Sequence, residues 1–96
     1  MAEIKVTPEN GLFGKEITIK IGDMVKIELD GINWKPGGKS FADANISPLT
    51  FKEPAIRDLT TKRMEFKYLA RATGRAELVF TSEDKSVQDV KVIVTK

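Results

Sequence analysis

The chain has 96 residues, 41% of them hydrophobic and 31% charged, with a formal net charge of +2. That length predicts one domain over residues 1–96, and the balance suits a soluble globular protein rather than a disordered tail. Neither cysteine nor histidine is present. Disulfide scaffolds, zinc knuckles, thiol catalysis, His-based triads and the usual copper and haem sites therefore lack their ligands or bases, and no cofactor is expected.

Taken in chain order, Ile4 and Val6 predict a short first strand, ended by Pro8-Glu9-Asn10-Gly11. In Glu16-Ile17-Thr18-Ile19-Lys20-Ile21 the odd positions are apolar, and Val25, Ile27 and Leu29 repeat the alternation after Gly22-Asp23. Strict alternation on both sides of a Gly-Asp pair predicts a β-hairpin with one buried face. The stretch from Asp30 to Pro54 holds Gly31, Pro36, Gly37, Gly38 and Pro48, so it reads as irregular, with one short strand at Leu49–Phe51. Pro54 before Ala55-Ile56-Arg57-Asp58-Leu59 predicts a single helical turn.

Residues Lys62–Thr73 read as a strand, with Met64, Phe66, Tyr68, Ala70 and Ala72 on one face. Helix formers are plentiful there, and Gly74 stands where a helix C′ glycine would. The alternation is the longer pattern and decides for a strand. Ala76, Leu78 and Phe80 mark another strand, Ser82–Ser86 a turn, and Val90, Val92 and Val94 a last strand antiparallel to its predecessor. Six or seven short strands without a long helix predict two packed sheets or a small barrel. No apolar run is long enough to span a membrane, and Met1–Val6 does not have the pattern of a signal peptide.

The middle of the chain supplies the candidate binding residues. Trp34 is the only tryptophan. It would serve either as an exposed platform for a sugar ring or a partner, or as a buried core residue, and burial is favoured because buried aromatics outnumber exposed platforms in small domains. Lys35-Pro36-Gly37-Gly38-Lys39-Ser40 lacks the first glycine of a phosphate loop, position 33 being asparagine, and no helix follows it. The segment Asp30–Asn45 reads instead as a mobile loop, and Trp34, Lys35, Gly37, Gly38, Lys39 and Phe41 are its expected partner-binding residues. Asp23, Asp30, Asp43 and Glu83-Asp84 are too scattered for a calcium loop and read as turn formers.

All four arginines, Arg57, Arg63, Arg71 and Arg75, fall in residues 57–75, where six bases stand against two acids. A surplus of that size attracts phosphate or an acidic glycan, although a solvated sheet face is the plainer reading. Arg63, Lys67 and Arg71 would form a basic stripe about 26 Å long on one strand face. Phe66 and Tyr68 point the other way, which argues against a nucleic-acid platform.

Two resemblances add to this reading. Ala72–Asp84 followed by Val90–Thr95, together with Ile4–Pro8 and Ile19–Asp23, resembles the opening and closing strands of bacterial immunoglobulin-like domains. The resemblance implies an all-β immunoglobulin-like β-sandwich of about seven strands. The strand order is also similar to that of chagasin-type inhibitors of cysteine proteases, which insert three neighbouring loops into a protease cleft. In that alignment Asp30–Ala42, Ile56–Arg63 and Thr81–Asp89 would hold the loops. The family's Asn-Pro-Thr-Thr-Gly, Gly-x-Gly and Arg-Pro-Trp motifs are absent from those three segments.

The resulting expectation is a non-catalytic structural or binding module of an extracellular, cell-surface or virion protein, acting through loops and edge strands. A protein partner or self-association is expected, carbohydrate is a possible ligand, and neither nucleic acid nor membrane insertion is expected. The alternative is a proteinaceous inhibitor of cysteine proteases.

Overall fold

The computed structural model describes residues 2–43 and 45–96. Met1 and Ala44, which fall in the N-terminal segment and in the predicted 30–45 loop, lie outside the described residues. The strands among the described residues are β1 (Glu3–Val6), β2 (Glu16–Lys20), β3 (Met24–Asp30), β4 (Trp34–Ala42), β5 (Leu49–Asp58), β6 (Arg63–Ala70), β7 (Gly74–Ser82) and β8 (Val87–Thr95). They form two four-stranded sheets, ordered β1-β3-β6-β5 and β2-β8-β7-β4.

Alternation explains the packing. Val25, Ile27 and Leu29 on β3 and Met64, Phe66, Tyr68 and Ala70 on β6 are buried inward from the first sheet. Ala76, Leu78 and Phe80 on β7 and Val90, Val92 and Val94 on β8 meet them from the second. Phe66 and Phe80 bridge the sheets with ring centroids 5.0 Å apart, and Phe51 lies 5.4 Å from Tyr68 within the first. Each such aromatic pair adds about 0.5–1.5 kcal/mol beyond its buried area. The core contains no buried polar or charged residue among those described.

Three expectations are corrected. First, β2 and β3 do not form a hairpin. β2 pairs in parallel with β8 in the second sheet, while β3 pairs with β1 and β6 in the first. Gly22-Asp23 is a corner between sheets, where Gly22 N donates to Ala70 O at 2.9 Å and the Asp23 carboxylate accepts from Ala2 N and Lys20 N. Both strands turn an apolar face inward from opposite sides, so their alternation is the same as that of a hairpin.

Second, the Gly- and Pro-rich middle is not a loop: it is mostly β4, paired with β7 over nine residues. Third, the helical turn after Pro54 is absent. Ile56, Arg57 and Asp58 pair with Glu65, Met64 and Arg63, beyond a register irregularity between Lys52 and Ile56 that accommodates the proline. Both β4 and β5 are edge strands, where a residue without an amide hydrogen is tolerated. Lys62–Thr73 is a strand as read, over Arg63–Ala70, and β8 is antiparallel to β7.

A candidate three-loop binding edge

The registers bring three connections to one end of the sandwich. Asp30, Arg63 and Asp58 stand side by side at the ends of β3, β6 and β5. Trp34, at the start of β4, is paired with Ser82 at the end of β7. The connections 31–33, 59–62 and 83–86 therefore converge, and the longer 7–15 segment joins them because β1 runs parallel to β3.

Each loop is held by its own chemistry. Gly31 has φ +104 and donates its N–H to Lys62 O at 2.7 Å, tying the first loop to the second. The Trp34 indole N–H donates to Asp30 O at 2.8 Å, and Trp34 N donates to Met64 Sδ at 3.4 Å. The tryptophan is 9% exposed, so it closes the first loop from beneath rather than offering a platform. This is the burial favoured from sequence, with Trp34 at the start of β4.

In the second loop, Asp58 Oδ1 accepts from Thr60 N at 2.9 Å and Thr61 N at 3.2 Å. That Asx turn leaves Leu59 at the tip, 69% exposed. In the third, Ser82 N donates to Ser86 O, and Asp84 Oδ1 accepts from Ser86 N and from the Ser82 hydroxyl. These donors, the Ser82 hydroxyl foremost, lower the Asp84 carboxyl to about 2. The 7–15 segment is folded around Asn10, whose Oδ1 accepts from Thr7 N and Leu12 N and whose amide donates to Lys5 O.

Arg63 anchors the base of this edge. Its guanidinium meets Glu9 at 2.5 Å, Asp30 at 2.9 Å and Glu28 at 3.4 Å. The hydrogen bond to Glu9 is the chief reason the Arg63 pKa is raised, and the same bond lowers Glu9. Arg63 is thus saturated by acids and does not belong to a free basic stripe with Lys67 and Arg71. A shallow cleft of about 310 Å³ runs between the first and third loops, with Asn33, Trp34, Glu83 and Asp84 among its walls.

The residues singled out from sequence lie elsewhere. Lys35, Gly37, Lys39 and Phe41 share the outer face of edge strand β4, paired with Thr81, Val79, Glu77 and Arg75. They run away from the three loops, ending where the Arg75 guanidinium lies 4.6 Å from the Phe41 ring centroid. Gly38 has φ +125, and a Cβ there would stand 1.8 Å from Glu77 O, so only glycine fits. Of the predicted set, Trp34 alone borders the loop edge. Leu59 was missed because it reads as the end of a helical turn. An exposed leucine beside an Asp-x-Thr turn was the available signal. Among the described residues, no group of three His, Cys, Asp or Glu side chains could hold a metal ion.

No protein-family model and no curated protein sequence matches the chain. Among solved structures, the chain is similar to a cysteine protease inhibitor from Entamoeba histolytica. The TM-score is 0.71 at 12% identity, over 98% of this chain and 96% of that one. It is also similar to amebosin, with a TM-score of 0.65 at 17% identity over 97% and 98% of the two chains. The likeness shows the fold. It is an all-β immunoglobulin-like sandwich, with eight strands among the described residues rather than about seven. These two neighbours do not include a bacterial immunoglobulin-like domain, the other resemblance drawn from the sequence.

Proposed function

We propose that the chain inhibits papain-like cysteine proteases by inserting the loops 31–33, 59–62 and 83–86 into the protease cleft. The observation that carries this reading is the convergence of three short, internally hydrogen-bonded loops at one end of a sandwich similar, over nearly its whole length, to a protease inhibitor's. Loops already fixed by Trp34, Asp58 and Asp84 lose little conformational entropy on docking, which favours tight binding.

The contacts come from this chain's own side chains, because the three family motifs are absent. Leu59 is the apolar anchor, projecting from the flanking loop 59–62. Ile32 and Asn33 stand beside it in the middle loop, which Gly31 ties to Lys62, and Glu83 and Lys85 form a polar rim beyond them. A wedge of this kind blocks the cleft without offering an extended backbone at the nucleophile, so it is not turned over as a substrate. The first expectation, a structural module of a surface or virion protein, gains no support from the fold neighbours.

Titrating papain with the chain tests the proposal. Activity should fall in a stoichiometric manner. Leu59→Asp should raise the inhibition constant about tenfold or more, as expected for losing an apolar anchor that the protease would bury. Full protease activity at micromolar chain, or equal inhibition by the folded Leu59→Asp variant, would refute it.

A further inference from the structure

The outer face of the first sheet carries a feature that no single strand reveals. Lys5 on β1 is opposite Lys26 on β3, Lys26 is opposite Lys67 on β6, and Lys67 is opposite Lys52 on β5. Four lysines thus form one row across every strand of the sheet. At a strand spacing of about 4.8 Å, the row is about 14 Å long. All four point outward, since their chain neighbours Val6, Val25, Ile27, Phe66 and Tyr68 are buried and Phe51 packs against the core.

Like charges directly opposite one another on a sheet are destabilising, so the row works against the fold that displays it. Neighbouring acids relieve only one member. Lys26 Nζ lies 2.5 Å from Glu65 and 3.9 Å from Glu28, while no ion pair reaches Lys5, Lys52 or Lys67 among the described residues. Arg71 extends the basic side, its guanidinium donating to Thr50 Oγ1 next to Lys52 on β5. Of the nearby acids, Glu28 and Asp30 are held by Arg63, and Glu65 pairs with Lys26 alone, leaving the other three lysines of the row unpaired among the described residues. The face is therefore divided, with cations in excess away from the three loops and acids in excess near them.

We propose that this row binds a linear sulfated polysaccharide lying across the strands. Three features select that chemistry. The row is made of point-charge ammonium groups and contains no arginine, whose planar fork suits carboxylate and phosphate pairs. No aromatic side chain faces outward along it, so bases have nothing to stack on. It runs across the strands, so a bound chain cannot use backbone pairing and must rely on charges in line.

The site is remote from the loop edge, and its test does not read protease inhibition. Immobilised heparin is the probe. The chain should remain bound at an ionic strength of about 0.15 M, where exposed charges are screened beyond roughly 8 Å. The triple variant Lys5→Gln, Lys52→Gln, Lys67→Gln should weaken binding at least about tenfold. It should also flatten the slope of log affinity against log salt by about two to three, one contact per lysine. A control triple of equal charge on the second sheet, Lys35→Gln, Lys39→Gln, Lys91→Gln, should leave both quantities nearly unchanged. The row variant should unfold no earlier than the parent, because it removes like-charge contacts. The proposal is overturned if the parent washes off at that salt, or if the two triples weaken binding equally. It is also overturned if a single-stranded oligonucleotide or polyglutamate displaces heparin as well as free heparin does.

Discussion

Replacing Trp34 with phenylalanine tests how the loop edge is held. The indole N–H donates to Asp30 O at 2.8 Å, and the ring is 9% exposed at the foot of the 31–33 loop. Phenylalanine keeps most of the apolar burial but removes the donor and part of the ring. Loss of one such hydrogen bond costs about 0.5–1.5 kcal/mol. At about 24 cal/mol per Å³, an unfilled volume on the order of 40 Å³ adds about 1 kcal/mol. The expected loss is therefore about 1.5–2.5 kcal/mol, a sizeable share of the stability of a small domain. Trp34→Ala, which empties the site, should cost about 3–5 kcal/mol.

Urea unfolding followed by far-ultraviolet dichroism measures both, since the variants lack the chain's only tryptophan. The phenylalanine variant should unfold at about 1 M lower urea with an unchanged slope. Amide exchange at Gly31, whose N–H donates to Lys62 O, should quicken with it. A midpoint within error of the parent, with Gly31 exchange unaltered, would refute the idea that the indole closes this loop.

Two further outcomes follow from single residues. Gly38→Ala places a methyl 1.8 Å from Glu77 O at φ +125, so the edge strand must shift. The strained backbone alone costs about 1–3 kcal/mol, and the thermal midpoint should fall by about 5 °C or more. Asp84, lowered from 3.8 to about 2 by the Ser82 and Ser86 donors, takes up its proton later in the folded chain than in the unfolded one. Its stabilising contribution is present above the unfolded value and is lost as pH falls from about 4 towards 2, whereas Asp84→Asn should lack that component when midpoints are compared across the range.

What could be read from the residues alone was the inward set. Val25, Ile27, Leu29, Phe66, Phe80, Val90 and Val92 are each buried as the alternation requires. Alternation states which face of a strand is apolar, but not which sheet the strand joins. That is why Ile17 and Ile19 looked like the hairpin partners of Val25 and Ile27. β4 was hidden because Pro36, Gly37 and Gly38 disfavour a central strand, yet an edge strand accepts them. The lysine row was illegible for a related reason. Lys5, Lys26, Lys52 and Lys67 are far apart in the chain, and only the register aligns them. The stripe expected along Arg63, Lys67 and Arg71 ran in the wrong direction, since Arg63 belongs to the acids around it.

The most direct measurement of the central claim is amide hydrogen exchange across the chain, alone and mixed with active papain. Slowed exchange confined to residues 31–33, 59–62 and 83–86 is the predicted pattern, with the outer faces of both sheets unchanged. Protection along β4 or the first sheet without protection of the loops would contradict it, as would exchange indistinguishable from that of the free chain.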